Sequence, residues 1–296
     1  MKPAKLSLTA RIARPSNYRL AARLCRRAVG PSDYVLSILK AAIDNLGLFL
    51  AWNEGQVVGM TNFERCIDGS GWMSMARTDP DWRRSGVALF LQRQIAAHAK
   101  QRGIRAIRLW ILSKNKASIR ACVKGGFKPV CEAAHISCSI RRKPSKTRIR
   151  PVNARLDASS RSILRSTYLS KMNGYIAYKR HFLRASNGLL KQLLQREGLY
   201  TVSTSAFILT KPERRFHTLT SSLTILNGPL APSLRTAREV ARGLGARRLG
   251  AYVPYDSYML RTARELGFKR DDWGKHCMVF EKPLRNTTRN PPLSDK

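Results

Sequence analysis

The chain has 296 residues, with 55 Lys and Arg against 18 Asp and Glu, a formal charge of +37. That length has room for about two domains, and no apolar run approaches the ~20 residues a membrane-spanning helix needs. Six scattered cysteines without a Cys-x-x-Cys, and five histidines without a His-x-x-x-His, leave no metal site to argue. Reduced thiols and a cytoplasmic location are expected, with no membrane partner. The charge is not confined to a tail: residues 101–200 hold 23 basic and 3 acidic side chains. Such a balance attracts polyanions, nucleic acid and ribosomal RNA among them, or simply keeps the protein soluble.

The first 32 residues contain no acid and are rich in Arg, Ala and Ser, as an organellar transit peptide is. They also read as structure: a strand over 6–14 and a helix over 17–28. Gly30-Pro31-Ser32-Asp33 is a turn that caps a helix over 34–45. Strands over 47–52 and 56–63 flank the hairpin turn Asn53-Glu54-Gly55. Asp68-Gly69-Ser70-Gly71 turns into a strand over 72–78, and Asp79-Pro80-Asp81 leads out of it.

Next comes Arg83-Arg84-Ser85-Gly86-Val87-Ala88, ahead of a helical pattern over 89–101. Arg-x-x-Gly-x-Ala between a strand and a helix can hold a pyrophosphate. Gly86 lets the backbone approach, and the helix start aims free N–H groups and a positive dipole end at the anion. The apolar run 107–112 reads as a buried strand. Asn115 precedes a short helix over 117–124, Gly125-Gly126-Phe127 follows, and a strand over 128–140 is expected to finish the sheet.

Over residues 6–140 this order resembles the GNAT N-acetyltransferase superfamily, on Arg83, Gly86 and Ala88 of its cofactor loop and on Asn115, Gly126 and Phe127. The resemblance implies an α/β (α+β) fold built on a splayed, mostly antiparallel mixed sheet flanked by helices. It also implies acetyl-CoA as co-substrate and no metal. The amides from Arg84 through Ser85, Gly86, Val87 and Ala88 to Leu89 would face the pyrophosphate, with Arg83 or Arg84 adding charge. Backbone N–H groups of Ala76, Arg77 and Thr78 would polarise the thioester carbonyl, and Asn115 and Ser118 would line the pantetheine arm. Asn115 is also a plausible helix N-cap. Relatives place a Tyr seven residues after the Asn to protonate the departing thiolate. Cys122 stands there, as proton donor or as a small buried residue. The Glu that many relatives carry on the strand before the loop is missing. Glu64 is the nearest candidate base, or else an exposed hairpin-end carboxylate paired with Arg.

Arg141 to Arg150 has six basic residues in ten and reads as a linker. The second half echoes the first: Asn115 stands twelve residues before Phe127 and Asp256 twelve before Phe268, while Gly267-Phe268-Lys269 repeats Gly126-Phe127-Lys128. Its loop, Ile225-Leu226-Asn227-Gly228-Pro229-Leu230, has no Arg, and Pro229 removes a donor. The reading is therefore a catalytic domain over 1–143, a degenerate GNAT-like domain over 147–284 and a flexible tail over 285–296. A bulky residue at Gly86 is expected to abolish acetyl-CoA binding, and one at Gly228 to leave it intact. Tyr255, Asp256 and Tyr258 are candidates to face the first half's cleft. The expected activity is acetyl transfer to a primary amine of a small molecule or amino acid. The alternatives are a modifier of a ribosomal or nucleic-acid-bound target, and a silent CoA- or nucleic-acid-binding protein.

Overall fold

The computed structural model describes residues 7–141, 161–215 and 218–284. The linker expected over 141–150 lies outside these, apart from Arg141, as does the tail over 285–296. The first half runs β1 (Leu8–Ile12), α1 (Tyr18–Ala28), α2 (Val35–Asp44), β2 (Leu48–Asn53), β3 (Gln56–Arg65), β4 (Gly71–Thr78), α3 (Val87–Gln101), β5 (Ala106–Leu112), α4 (Lys116–Lys124) and β6 (Lys128–Ser139). The second half continues with α5 (Thr167–Lys171), β7 (Tyr175–Tyr178), β8 (His181–Arg184), α6 (Asn187–Arg196), β9 (Leu199–Val202), β10 (Ser205–Leu209) and β11 (Glu213–Arg215). It ends with β12 (Thr218–Asn227), α7 (Leu230–Gly243), β13 (Arg248–Pro254), α8 (Ser257–Glu265), β14 (Lys269–Arg270) and β15 (Cys277–Pro283).

Apolar spacing explains how the helices seat. Val87, Leu91, Ile95 and Ala99 recur every fourth residue of α3 and bury one stripe against β2, β3 and β4. Val35, Leu39 and Ile43 of α2 do the same on the opposite face, beside Ala21, Leu24 and Cys25 of α1. The sheet is thus covered by α3 and α4 on one side and by α1 and α2 on the other.

Both halves contribute to one sheet, in the order β1-β2-β3-β4-β5-β15-β6-β13-β12-β10-β9. Neighbours on this path are antiparallel except β4 with β5 and β12 with β13. The expectation that β6 finishes the first sheet needs correction. β15, the last strand of the second half, lies between β5 and β6, from Cys277 opposite Leu112 to Pro283 opposite Ala106. β6 pairs on its other side with β13, from Arg248 opposite Ser139 to Pro254 opposite Ala133. The two halves have exchanged their closing strands about a pseudo-twofold centre between β15 and β6. Nothing local in β6 distinguishes the two outcomes, because either neighbour satisfies the same backbone groups and alternating apolar side chains.

A buried polar network reinforces the join. The Arg108 guanidinium on β5 donates to Asp68 (2.6 Å), at the β3–β4 turn, and to Glu281 (2.5 Å) on β15. Tyr175 of β7 donates to the same Glu281 carboxylate (3.0 Å). The β7–β8 hairpin, a separate two-stranded sheet, lies over the face away from α3, where Phe182 stacks on Trp72 of β4.

Candidate active site

β4 and β5 pair at only two positions, Gly71 with Ile107 and Trp72 with Arg108, and then part. Parallel strands that separate leave backbone groups facing a gap and needing partners. The gap is shaped further by a bulge: Arg77 opposes Met60 and Ser74 opposes Asn62, so Met75 and Ala76 together face Thr61. Met75 takes a left-handed φ of 58°, a conformation costing a side-chain-bearing residue about 1–2 kcal/mol. The bulge leaves an unpaired residue and re-aims the strand at the gap. Ala76 is exposed, while Arg77 and Thr78 stay in register with β3.

The Arg77 side chain is committed elsewhere. It donates to both carboxylate oxygens of Asp33 at 2.8 and 2.6 Å, tying the end of β4 to the start of α2. Burial, the largest influence on Asp33, opposes its ionisation. The Arg77 bonds and the Val35 amide outweigh it and hold the carboxyl below its usual range. A depressed carboxyl stabilises the fold above the unfolded value, near 4, and that contribution disappears as pH falls through the folded value. Asp33→Ala, which leaves the guanidinium half-desolvated and unpaired, is expected to cost about 3 kcal/mol in urea unfolding at pH 7. The difference from wild type should shrink below pH 4.

The loop after β4 is open. Asp79 is buried, receives the Asp81 amide and is held by Arg27 (2.7 Å). Arg83, Arg84, Ser85 and Gly86 are exposed, and α3 starts at Val87 with Gly86 as N-cap and no side chain capping it. Gly86 has φ +89°, and a Cβ built there meets nothing within 4 Å. Val87 is buried and Ala88 half-buried, so their side chains anchor the helix while their amides lie at its uncapped start. Arg83 donates to the Ala28 carbonyl (2.9 Å), whereas Arg84 has no hydrogen-bond or ion partner among the described residues. A helix start with an open left-handed glycine and one free guanidinium fits a diphosphate.

Across the gap, Asn115 accepts a hydrogen bond from the Ser118 amide (3.1 Å) and caps α4. Both lie just beyond the C-terminal end of β5, the strand that parts from β4. Cys122 is on the far side of α4, 4% exposed in the α3 core, where Gln92 donates to its sulfur (3.6 Å). Burial pushes the thiol up to about 12. That placement favours packing, and Cys122→Ala is expected to keep turnover within about threefold; a loss of a hundredfold in kcat, the scale of a removed general acid, would identify a proton donor. Glu64 lies on β3 opposite Trp72, half-exposed, with its Oε1 3.1 Å from His181 Nε2. The bond with His181 is the main cause that holds its carboxyl below the ordinary range.

A protein-family model described as the acetyltransferase (GNAT) family matches residues 16–127. Over those residues the chain is similar to a GNAT acetyltransferase domain. The likeness of fold extends along the whole chain. A GCN5-related N-acetyltransferase from Sphaerobacter thermophilus aligns with 95% of this chain and 98% of its own, at 14% identity and a TM-score of 0.60. A Thermoplasma acidophilum structure named as an acetyltransferase aligns over 93% of each chain, at 15% identity and a TM-score of 0.55. One from Pyrococcus horikoshii covers 96% of this chain and 92% of its own, at 15% and 0.53. No curated protein matches the chain.

In the second half the space beside Gly228, in the loop that the sequence echo sets against Gly86, is filled. A Cβ on Gly228 would stand 2.5 Å from Ser205 Cα and 2.6 Å from the Thr204 carbonyl. The Ser205 and Ser233 hydroxyls both donate to the Pro229 carbonyl. The turn between β9 and β10 therefore occupies the space beside Gly228, whereas the space beside Gly86 is open. Gly228→Glu would break this packing, so it is not the neutral change expected from the sequence. Asp256 caps α8 and pairs with Lys171, and Tyr255 stacks on His276, whose carbonyl receives the Ser113 amide. Among the described residues, His181 of the second half contacts both β3 and β4, and Phe182 beside it contacts β4. Sequence reading missed it because a four-residue strand with one histidine carries no sign of where its hairpin docks.

Among the described residues no cluster of His, Cys, Asp and Glu has the makings of a metal site, and no helix is long and apolar enough to cross a membrane.

Proposed function

We propose that the protein transfers an acetyl group from acetyl-CoA to a primary amine of a small molecule or amino acid, by direct attack in a ternary complex. One observation carries this reading: β4 and β5 diverge beside a bulge at Met75 and Ala76, and β4 runs directly into the open Gly86 helix start. The amides of residues 84–89 hold the pyrophosphate, with Arg84 supplying charge. Asn115 and Ser118 border the pantetheine arm, and the bulge amides receive the developing charge on the carbonyl oxygen. The acceptor enters from the face opposite α3, where Glu64 is exposed.

The test is release of the CoA thiol with a panel of primary amines at moderate and high salt. Saturable, amine-dependent release that survives high salt supports the reading. Acetyl-CoA binding that salt removes, with no thiol released, overturns it. A second reading, an acceptor presented on RNA or a ribosomal particle, is favoured by α1. Tyr18, Arg19, Ala22, Arg23, Arg26 and Arg27 line an open groove of about 520 Å³ there. Arg19, Arg23 and Arg26 have no carboxylate partner among the described residues. RNA that competes with small-amine turnover, with a steep salt dependence, would support that reading.

A further inference from the structure

The face of the first half away from α3 carries Asn62 and Glu64 of β3 opposite Ser74 and Trp72 of β4. His181, the first residue of β8 in the second half, reaches back onto this face. Its ring centroid lies 5.2 Å from that of Trp72, tilted by 54°, and its Nε2 is 3.1 Å from Glu64 Oε1. Trp72 is the last residue of β4 still paired with β5. The imidazole therefore stands at the floor of the gap, on the side from which an acceptor would enter.

We infer that His181 is the proton acceptor for the incoming amine and that Glu64 is its positioning residue, so that the second half completes the active site of the first. The inference rests on the acetyl-transfer reading above. An ionised carboxylate only accepts hydrogen bonds, so the imidazole beside it carries its proton on Nε2 and leaves the Nδ1 lone pair free. Nδ1 has no partner among the described residues. Trp72 packs on the ring, and Phe182, the next residue, stacks on the same indole. The bulge residues Met75 and Ala76 stand three and four residues beyond Trp72, about 10–13 Å along a strand, a span that the thioester carbonyl, the amine and one bridging water fill.

The charged neighbours are few. Arg180 acts on Glu64 from the β7–β8 turn. The Asp68–Arg108 pair lies beyond the β3–β4 turn, with the Arg184 amide on the same Asp68. Cys66 is neutral, its thiol pushed to about 12 by burial.

The proton balance is complete. The ammonium group gives one proton to His181 Nδ1, directly or through the water, and becomes a free amine. Its nitrogen lone pair forms the bond to the thioester carbonyl carbon, and the C–S pair leaves with sulfur. The second nitrogen proton passes to the thiolate, giving CoA thiol and the amide, and His181 returns its proton to solvent.

The experiment compares wild type, His181→Gln and Glu64→Gln in the full chain by three readouts: acetyl-CoA affinity, the pH profile of thiol release with the amine panel, and ¹⁵N spectra of the imidazole. His181→Gln is expected to keep acetyl-CoA affinity and lose on the order of 100-fold or more in kcat at pH 7. Its remaining rate should rise with pH without the wild-type inflection. Glu64→Gln should lose on the order of tenfold in kcat at unchanged acetyl-CoA affinity and no longer hold the imidazole proton on Nε2 in the ¹⁵N spectra. Unchanged kcat in His181→Gln with normal wild-type turnover overturns this inference alone. Wild type that releases no thiol with any amine overturns the transfer reading with it. A spectrum showing the proton on Nδ1 overturns the inference whatever the turnover, because that nitrogen then has no lone pair to offer.

Discussion

Replacing Gly86 with glutamate is expected to abolish acetyl-CoA binding while the protein stays folded. A Cβ at φ +89° meets no atom within 4 Å, so the backbone cost of the change is the left-handed strain, about 1–2 kcal/mol. A carboxylate at the start of α3 even favours the helix dipole. It also occupies the place of the pyrophosphate and repels it, so a loss of on the order of 100-fold or more in affinity, about 2.7 kcal/mol, is expected. Gly228 cannot serve as control, because a Cβ there collides with Ser205. Gly245 can: it has φ +84° with nothing within 4 Å, just beyond the end of α7. Gly245→Glu should bind acetyl-CoA as wild type does, by calorimetric titration at moderate and high salt. Undiminished binding in Gly86→Glu would remove the loop from the site.

Ending the chain at residue 276 is expected to unfold both halves. The deletion removes β15, whose Cys277, Val279 and Phe280 are at most 1% exposed. β5 and β6 would each lose a full ladder of partners, and unpaired buried backbone groups are costly. Arg108 would lose Glu281 and keep Asp68 and Ser70, while Tyr175 would lose its acceptor. Thermal melts should show no cooperative transition for the shortened chain and a single one for the full chain. A first half that still melts cooperatively and binds acetyl-CoA would show that the exchanged strand is dispensable. Arg108→Ala is the milder version, expected to cost about 3–5 kcal/mol because Asp68 is left buried without its cation. Burial is the largest influence on Asp68 and opposes its ionisation. The Ser70 and Arg108 interactions outweigh it and hold the carboxyl below its usual range. This contribution is therefore present at neutral pH and lost as pH falls through the folded value.

The legible parts of this protein are the local ones. Arg84, Gly86 and Val87 lie within four residues of chain, and the helix start they describe is made by those residues alone. Asn115 capping α4 through Ser118 is equally local, and Asp256 repeats it in α8. The four-residue apolar spacing announced α2 and α3. Cys122 shows the limit of local reading: its position after Asn115 suggests a donor, but the direction it faces depends on α3 packing beside it. Glu64 was visible as a carboxylate at a strand end, and its partner lies 117 residues away.

By itself the sequence determined the elements, the loop chemistry and the echo between the halves, because turns, caps and helical stripes are set by neighbours a few residues apart. Only the tertiary structure decided which half owns which closing strand, what fills the loop at Gly228, and which second-half side chains reach β3 and β4. Those outcomes depend on long-range strand pairing, and a strand's alternating side chains state that it will pair without stating with which neighbour.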